Sequence, residues 1–70
     1  MTKIDANTEF YEQDEKINLP PAMKLVRMEG ASYIYGYGQH GRTVSWEFHP
    51  ALNRWGWVVQ KVVLEECCGV

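Results

Sequence analysis

Tyr33-Ile34-Tyr35-Gly36-Tyr37, Val44-Ser45-Trp46-Glu47-Phe48 and Trp55-Gly56-Trp57-Val58-Val59 each carry large side chains at every second position. A repeat of two is the side-chain period of a β-strand, so each segment can present its large residues on one face of a sheet. Seven of the chain's nine aromatic residues lie in this block. Such a face is either the core of a very small domain or a surface for gripping a partner.

Outward from the block, glycines and Pro50 mark the turns. Gly38-Gln39-His40-Gly41-Arg42 reads as the loop joining a strand over 31–37 to one over 43–49, and 49–53 as a second loop of hairpin length. Residues 54–64 fit both a period of 2 and one of 3.6. Gly56 and the valines at 58, 59, 62 and 63 favour strand over helix. Upstream, Pro20-Pro21 ends whatever precedes it, and residues 22–28 read as a strand turning at Glu29-Gly30. A helix over 20–29, with Pro in its first turn and Gly30 after its end, is the rival reading.

The N-terminal part reads differently. Thr8 is a suitable N-cap, Glu9 suits the positive end of a helix, and Glu12 and Lys16 are spaced i,i+4. With Phe10, Tyr11 and Ile17 as a narrow apolar stripe, the expectation is a short helix over 8–17. Residues 1–7 and 65–70 are expected to fray. The expected fold is therefore α+β and sheet-dominated: one small domain over 1–70, an antiparallel meander of three to four strands with a short N-terminal helix. If the aromatic triplets share a face, the other face carries Ile34, Gly36, Ser45, Glu47, Gly56, Val58 and Gln60.

Seventy residues form one small domain at most. A chain of about this length buries only about 60% of its unfolded surface, so large rings are a natural means of filling its core. By that argument Trp46, Phe48 and Trp57 are expected to be structural. Charge is segregated, with Asp5, Glu9, Glu12, Asp14 and Glu15 early, Glu65 and Glu66 late, and a mildly basic body between them. No apolar stretch precedes Glu9 as a secretory leader would, and no run approaches a membrane span. The adjacent Cys67 and Cys68 are no disulfide framework, and the cytoplasm is the expected compartment.

Chemistry-bearing patterns are weak. His40, His49, Cys67 and Cys68 lack zinc-ligand spacing, so no metal and no cofactor is expected. Gly36-Tyr37-Gly38-Gln39-His40-Gly41 spells a dinucleotide fingerprint but leads into a strand, where that motif requires a helix. Cys67 stands four from the end without the flanking residues of a prenylation signal. Ser32, Ser45, His40 and His49 show no nucleophile–base spacing, and an enzyme is not expected.

Two binding readings remain. Tyr33, Tyr35, Tyr37, Trp46 and Trp55 with Arg27, Arg42, Arg54 and Lys61 have the composition of a single-stranded nucleic-acid platform. The preferred reading is a small non-enzymatic module acting by stoichiometric protein–protein interaction, since Tyr, Trp, Met and Arg are enriched at interface centres. A protein of this kind suits a phage- or mobile-element-type inhibitor of a larger host complex. Its expected contact residues are Tyr35, Tyr37, Gln39, His40, Arg42 and Arg54. Open sheet edges also make a homodimer an expected way to satisfy the fold.

Overall fold

The computed structural model describes residues 1–64 and contains six antiparallel strands in one sheet. They are β1 (Thr2–Asp5), β2 (Thr8–Tyr11), β3 (Lys24–Glu29), β4 (Ser32–Tyr37), β5 (His40–His49) and β6 (Arg54–Val63). Their spatial order is β1-β2-β6-β5-β4-β3. The chain is all-β: among the described residues there is no helix, so the α+β expectation is wrong and the strand number was underestimated. Residues 65–70, expected to fray, lie outside the described part.

The meander β3–β6 follows the alternation. Residues 43–49 and 54–63 are strand, as expected, and β5 extends further back to His40. The β4–β5 loop is only Gly38-Gln39, not five residues, because Gly38 takes a left-handed φ of 62° and closes the hairpin at Tyr37↔His40. In the four-residue β5–β6 loop, Asn53 takes the corresponding strain with φ 56°.

The N-terminal helix is replaced by a hairpin. Asp5 Oδ1 accepts from the Asn7 N–H at 2.8 Å, fixing the two-residue turn that sets Asp5 opposite Thr8. Residues 2–5 are therefore an edge strand rather than a frayed end. β2 then pairs along β6, with Thr8 opposite Gln60 and Tyr11 opposite Trp57. The reason is long-range: without β2, β6 would present an open edge beside Trp57 and Val59. A four-residue hydrogen-bonded pairing outweighs one or two turns of marginal helix.

Register assigns the faces, since directly paired residues point the same way. One face carries Tyr11, Tyr33, Tyr35, Tyr37, Val44, Trp46, Phe48, Trp55, Trp57 and Val59, so the three alternating segments do converge. The connection over residues 12–23 crosses this aromatic face. Its Ile17 and Leu19 pack on the buried Tyr11, Val44 and Val59, beside Tyr33, Tyr35 and Trp57. The reverse face holds a second small core, in which Phe10 is fully buried and meets His49 edge-on at 5.2 Å. Also on that face, Leu64 fills a notch left by the paired glycines Gly36 and Gly41.

Candidate functional site: two uncovered ends of the aromatic face

The 12–23 crossing covers the middle of the aromatic face and leaves its two ends open. At one end Trp46 stands opposite Trp57 with centroids 5.1 Å apart and rings at 69°, and Phe48 stands opposite Trp55 at 5.6 Å and 61°. Trp46 and Trp55 lie nearly parallel, 13° apart at 6.5 Å. The rings are thus fixed against one another in the offset and edge-to-face arrangements that aromatic quadrupoles favour. They are not a closed core. Trp55 is 58% exposed and Trp46 and Phe48 are also exposed, which corrects the structural role expected for Trp46 and Phe48. Trp57, half-buried under the crossing segment, does join the core.

Beside this cluster lies an open cleft of about 620 Å³ lined by Glu12, Gln13, Asp14, Asn53, Arg54 and Trp55. Arg54 Nη1 donates to Glu12 Oε1 at 2.6 Å, tying the start of β6 to the crossing segment. Both side chains are exposed, so the pair contributes at most about 1 kcal/mol. Register sets Arg54, opposite His49, on the reverse face, so this held cation flanked by carboxylates lies at the sheet end beside Trp55 and not among the packed rings.

The other end has a different chemistry. Tyr35, Arg42 and Lys61 form one row across β4, β5 and β6, and Tyr37, His40 and Val63 form the next. Gln39 sits in the adjoining turn, and Arg42 Nη1 donates to the Gly41 carbonyl at 3.1 Å. A cleft of about 340 Å³ here is lined by Asn7, Gln39, His40, Arg42, Lys61, Val62 and Val63. Of the six residues singled out from sequence, Tyr35, Tyr37, Gln39, His40 and Arg42 therefore gather at this end. Arg54 does not: it lies seven positions along β6 from Lys61, a span of about 23 Å at strand rise.

Of the exposed rings Trp46, Phe48 and Trp55, sequence named Trp46 and Trp55 only within the nucleic-acid reading and none of the three as a protein contact. Their alternation was visible, but their exposure depends on the path of residues 12–23, which no local pattern encodes.

Under the crossing, Tyr11 Oη donates to Glu9 Oε1 at 2.9 Å. Burial raises the Tyr11 phenol above its ordinary value, and the bond to the Glu9 carboxylate adds to the rise; a hydrogen bond with the Asn18 backbone opposes it. Elsewhere, the Ser32 and Ser45 hydroxyls bond each other at 2.9 Å, and the buried His49 Nδ1 has no hydrogen-bond partner among the described residues. Among the described residues no cluster of three His, Cys, Asp or Glu side chains is arranged to hold a metal ion. No helix is long and apolar enough to cross a membrane, again among the described residues.

Comparison with protein-family models, with curated proteins and with solved structures gives no match for this chain.

Proposed function

We propose that this chain is a non-enzymatic binding protein that holds another protein through the Trp46–Phe48–Trp55 end of its aromatic face. One observation carries the reading: three large rings, packed against one another in fixed orientations, remain exposed in a chain with very little apolar surface to spare. Burying them under the crossing segment would favour the fold of so small a domain. Leaving them open is the arrangement of an interface centre, where Trp and other rigid aromatics supply most of the binding energy at low entropic cost. The Arg54–Glu12 pair and Asp14 beside them provide a polar rim. Stoichiometric cover of a partner's surface makes inhibition of that partner the natural output.

The second reading, single-stranded nucleic acid, draws on the Tyr35–Arg42–Lys61 row and the neighbouring Tyr37 and His40. These combine stacking rings with cations along one path. The two readings use opposite ends of one face, so variants separate them. Tagged wild-type protein and a Phe48→Ala/Trp55→Ala variant are compared as baits in the same extract. A protein held by the wild type and lost by the folded variant supports the first reading. A partner retained equally by both, or lost instead on Arg42→Ala/Lys61→Ala, overturns it. Fluorescence titration with mixed single strands at two salt concentrations tests the second reading. Absence of binding at the lower salt removes that reading.

A further inference from the structure

β3 is an open edge with an unusual pattern. It pairs on one side only, with β4, and all six of its residues are exposed. Leu25, Val26 and Met28 are each about half exposed. The opposite edge, β1, is four residues long and carries Lys3 and Asp5 with Ile4 as its only large aliphatic side chain. An edge strand is a template for further pairing, and short, charged edges blunt that tendency. β3 carries charge at Lys24, Arg27 and Glu29 and an irregularity at Val26, but it is longer and exposes three large apolar side chains among them.

The strand itself specifies a complement. In a two-fold antiparallel pairing, residues set opposite each other must point to the same face. In an unbroken strand, residues on one face are separated by even numbers, so Lys24 and Glu29 would point opposite ways. The irregularity at Val26 changes that. Leu25 pairs with Tyr35 while Arg27 pairs with Ile34, so the phase slips by one residue. Lys24 and Glu29, opposite Gly36 and Ser32, consequently share the reverse face, and Leu25 and Met28, opposite Tyr35 and Tyr33, share the aromatic face.

We propose that β3 joins two copies of this chain about a two-fold axis, with Lys24 of each copy opposite Glu29 of the other and Leu25 opposite Met28. Both pairs occur twice by symmetry and are matched in face and in chemistry, while Val26 and Arg27 of the two copies meet at the axis, each Arg27 held by its own Glu29. A row Tyr33–Met28–Leu25–Tyr35 then runs unbroken across the junction on the aromatic face. On the reverse face Glu29, already bonded by Arg27 Nε at 2.7 Å, gains a second cation. Lys24 makes no ion pair among the described residues and gains its first. Sliding the register by two residues sets Lys24 against Arg27, cation on cation, or leaves Lys24 and Leu25 without opposites. Only the proposed register forms both Lys24–Glu29 pairs. This interface is separate from the tryptophan end and does not depend on it.

The test is a charge exchange between copies, read by sedimentation equilibrium and native mass spectrometry over a wide concentration range. The wild type is expected to dimerise. Lys24→Glu sets carboxylates opposite carboxylates and Glu29→Lys sets cations opposite cations, so each variant alone should associate about tenfold or more weakly. An equimolar mixture of the two restores both pairs, and a heterodimer of mixed mass should form at the wild-type affinity. Both positions are exposed and remote from the tryptophans, so unchanged tryptophan emission verifies that each variant is folded. A wild type that stays monomeric at the highest concentration overturns the proposal. So does association indifferent to the two substitutions, or a mixture no tighter than its separate components. Species growing beyond two copies would also overturn it, because they require an edge other than β3.

Discussion

The Phe10 ring lies directly on Gly56, so that a Cβ at position 56 would overlap Phe10 Cζ and come within 2.7 Å of Cε2 and 2.5 Å of the Tyr11 carbonyl oxygen. Gly56 thus holds open the seat for the most buried ring in the chain. Gly56→Ala should cost about 1–3 kcal/mol by overpacking. Phe10→Ala, which empties the seat, should cost about 3–5 kcal/mol. Urea denaturation followed by tryptophan emission measures both, and a Gly56→Ala variant as stable as wild type would contradict the packing described.

Leu64 occupies the notch above Gly36 and Gly41, and a Cβ at Gly36 would collide with Leu64 Cδ1. Gly36→Ala and Leu64→Ala should therefore each destabilise, one by crowding and the other by lost burial. Combined, they should cost less than their sum by roughly 0.5–3 kcal/mol, since the truncated side chain makes room for the added methyl. Strict additivity in a double-mutant cycle would show that the two do not share a site.

The rings of the tryptophan end differ in burial, and fluorescence should rank them. Trp55 is the most exposed of the three tryptophans and Trp57 the least. Trp55→Phe should remove most of the readily quenched, red-shifted emission, whereas Trp57→Phe should leave it. The stability change for Trp55→Ala should stay near about 1 kcal/mol, the scale of the ring pairs it loses. A cost comparable to that of Phe10→Ala would make Trp55 a core residue.

Tyr11 supplies an alkaline limit. Its phenol titrates higher in the folded chain than in the unfolded one, so the unfolded chain releases the proton first as pH rises. The stabilisation is complete below the ordinary tyrosine range, near about pH 10, and is lost as pH climbs through the folded value. Wild type should lose more stability than Tyr11→Phe across that window. Equal losses would place the Tyr11 hydroxyl in water.

Three strands were legible because Tyr33–Tyr37 and Val44–Phe48 keep the strand period, and because Gly56 and the valines favour strand over 54–63, where both periods fit. Phe10 and Tyr11 gave no such signal. They are adjacent in sequence and both buried, one beneath His49 and the other beneath Ile17 and Leu19, on opposite faces of a four-residue strand. Neighbouring buried residues in so short a segment read equally as one helical stripe. What distinguishes them is β6, whose paired residues lie far along the chain. The site divided in the same way. Tyr35, Tyr37, His40 and Arg42 came together because one tight hairpin carries them all. Trp46 and Phe48 were misassigned because size argued for burial, and only the route of residues 12–23 decides which rings are covered.

The pairing of β2 with β6 also dictates an order of assembly. Contacts within β3–β6 join neighbouring hairpins, whereas Thr8 meets Gln60 and Tyr11 meets Trp57 across most of the chain. Loop-closure entropy makes the local hairpins form first and the distant pairing last. During synthesis Phe10 and Tyr11 are made well before their seats on β6. Until β6 emerges these two buried rings are therefore without their place, and the nascent chain is most prone to aggregate over that interval.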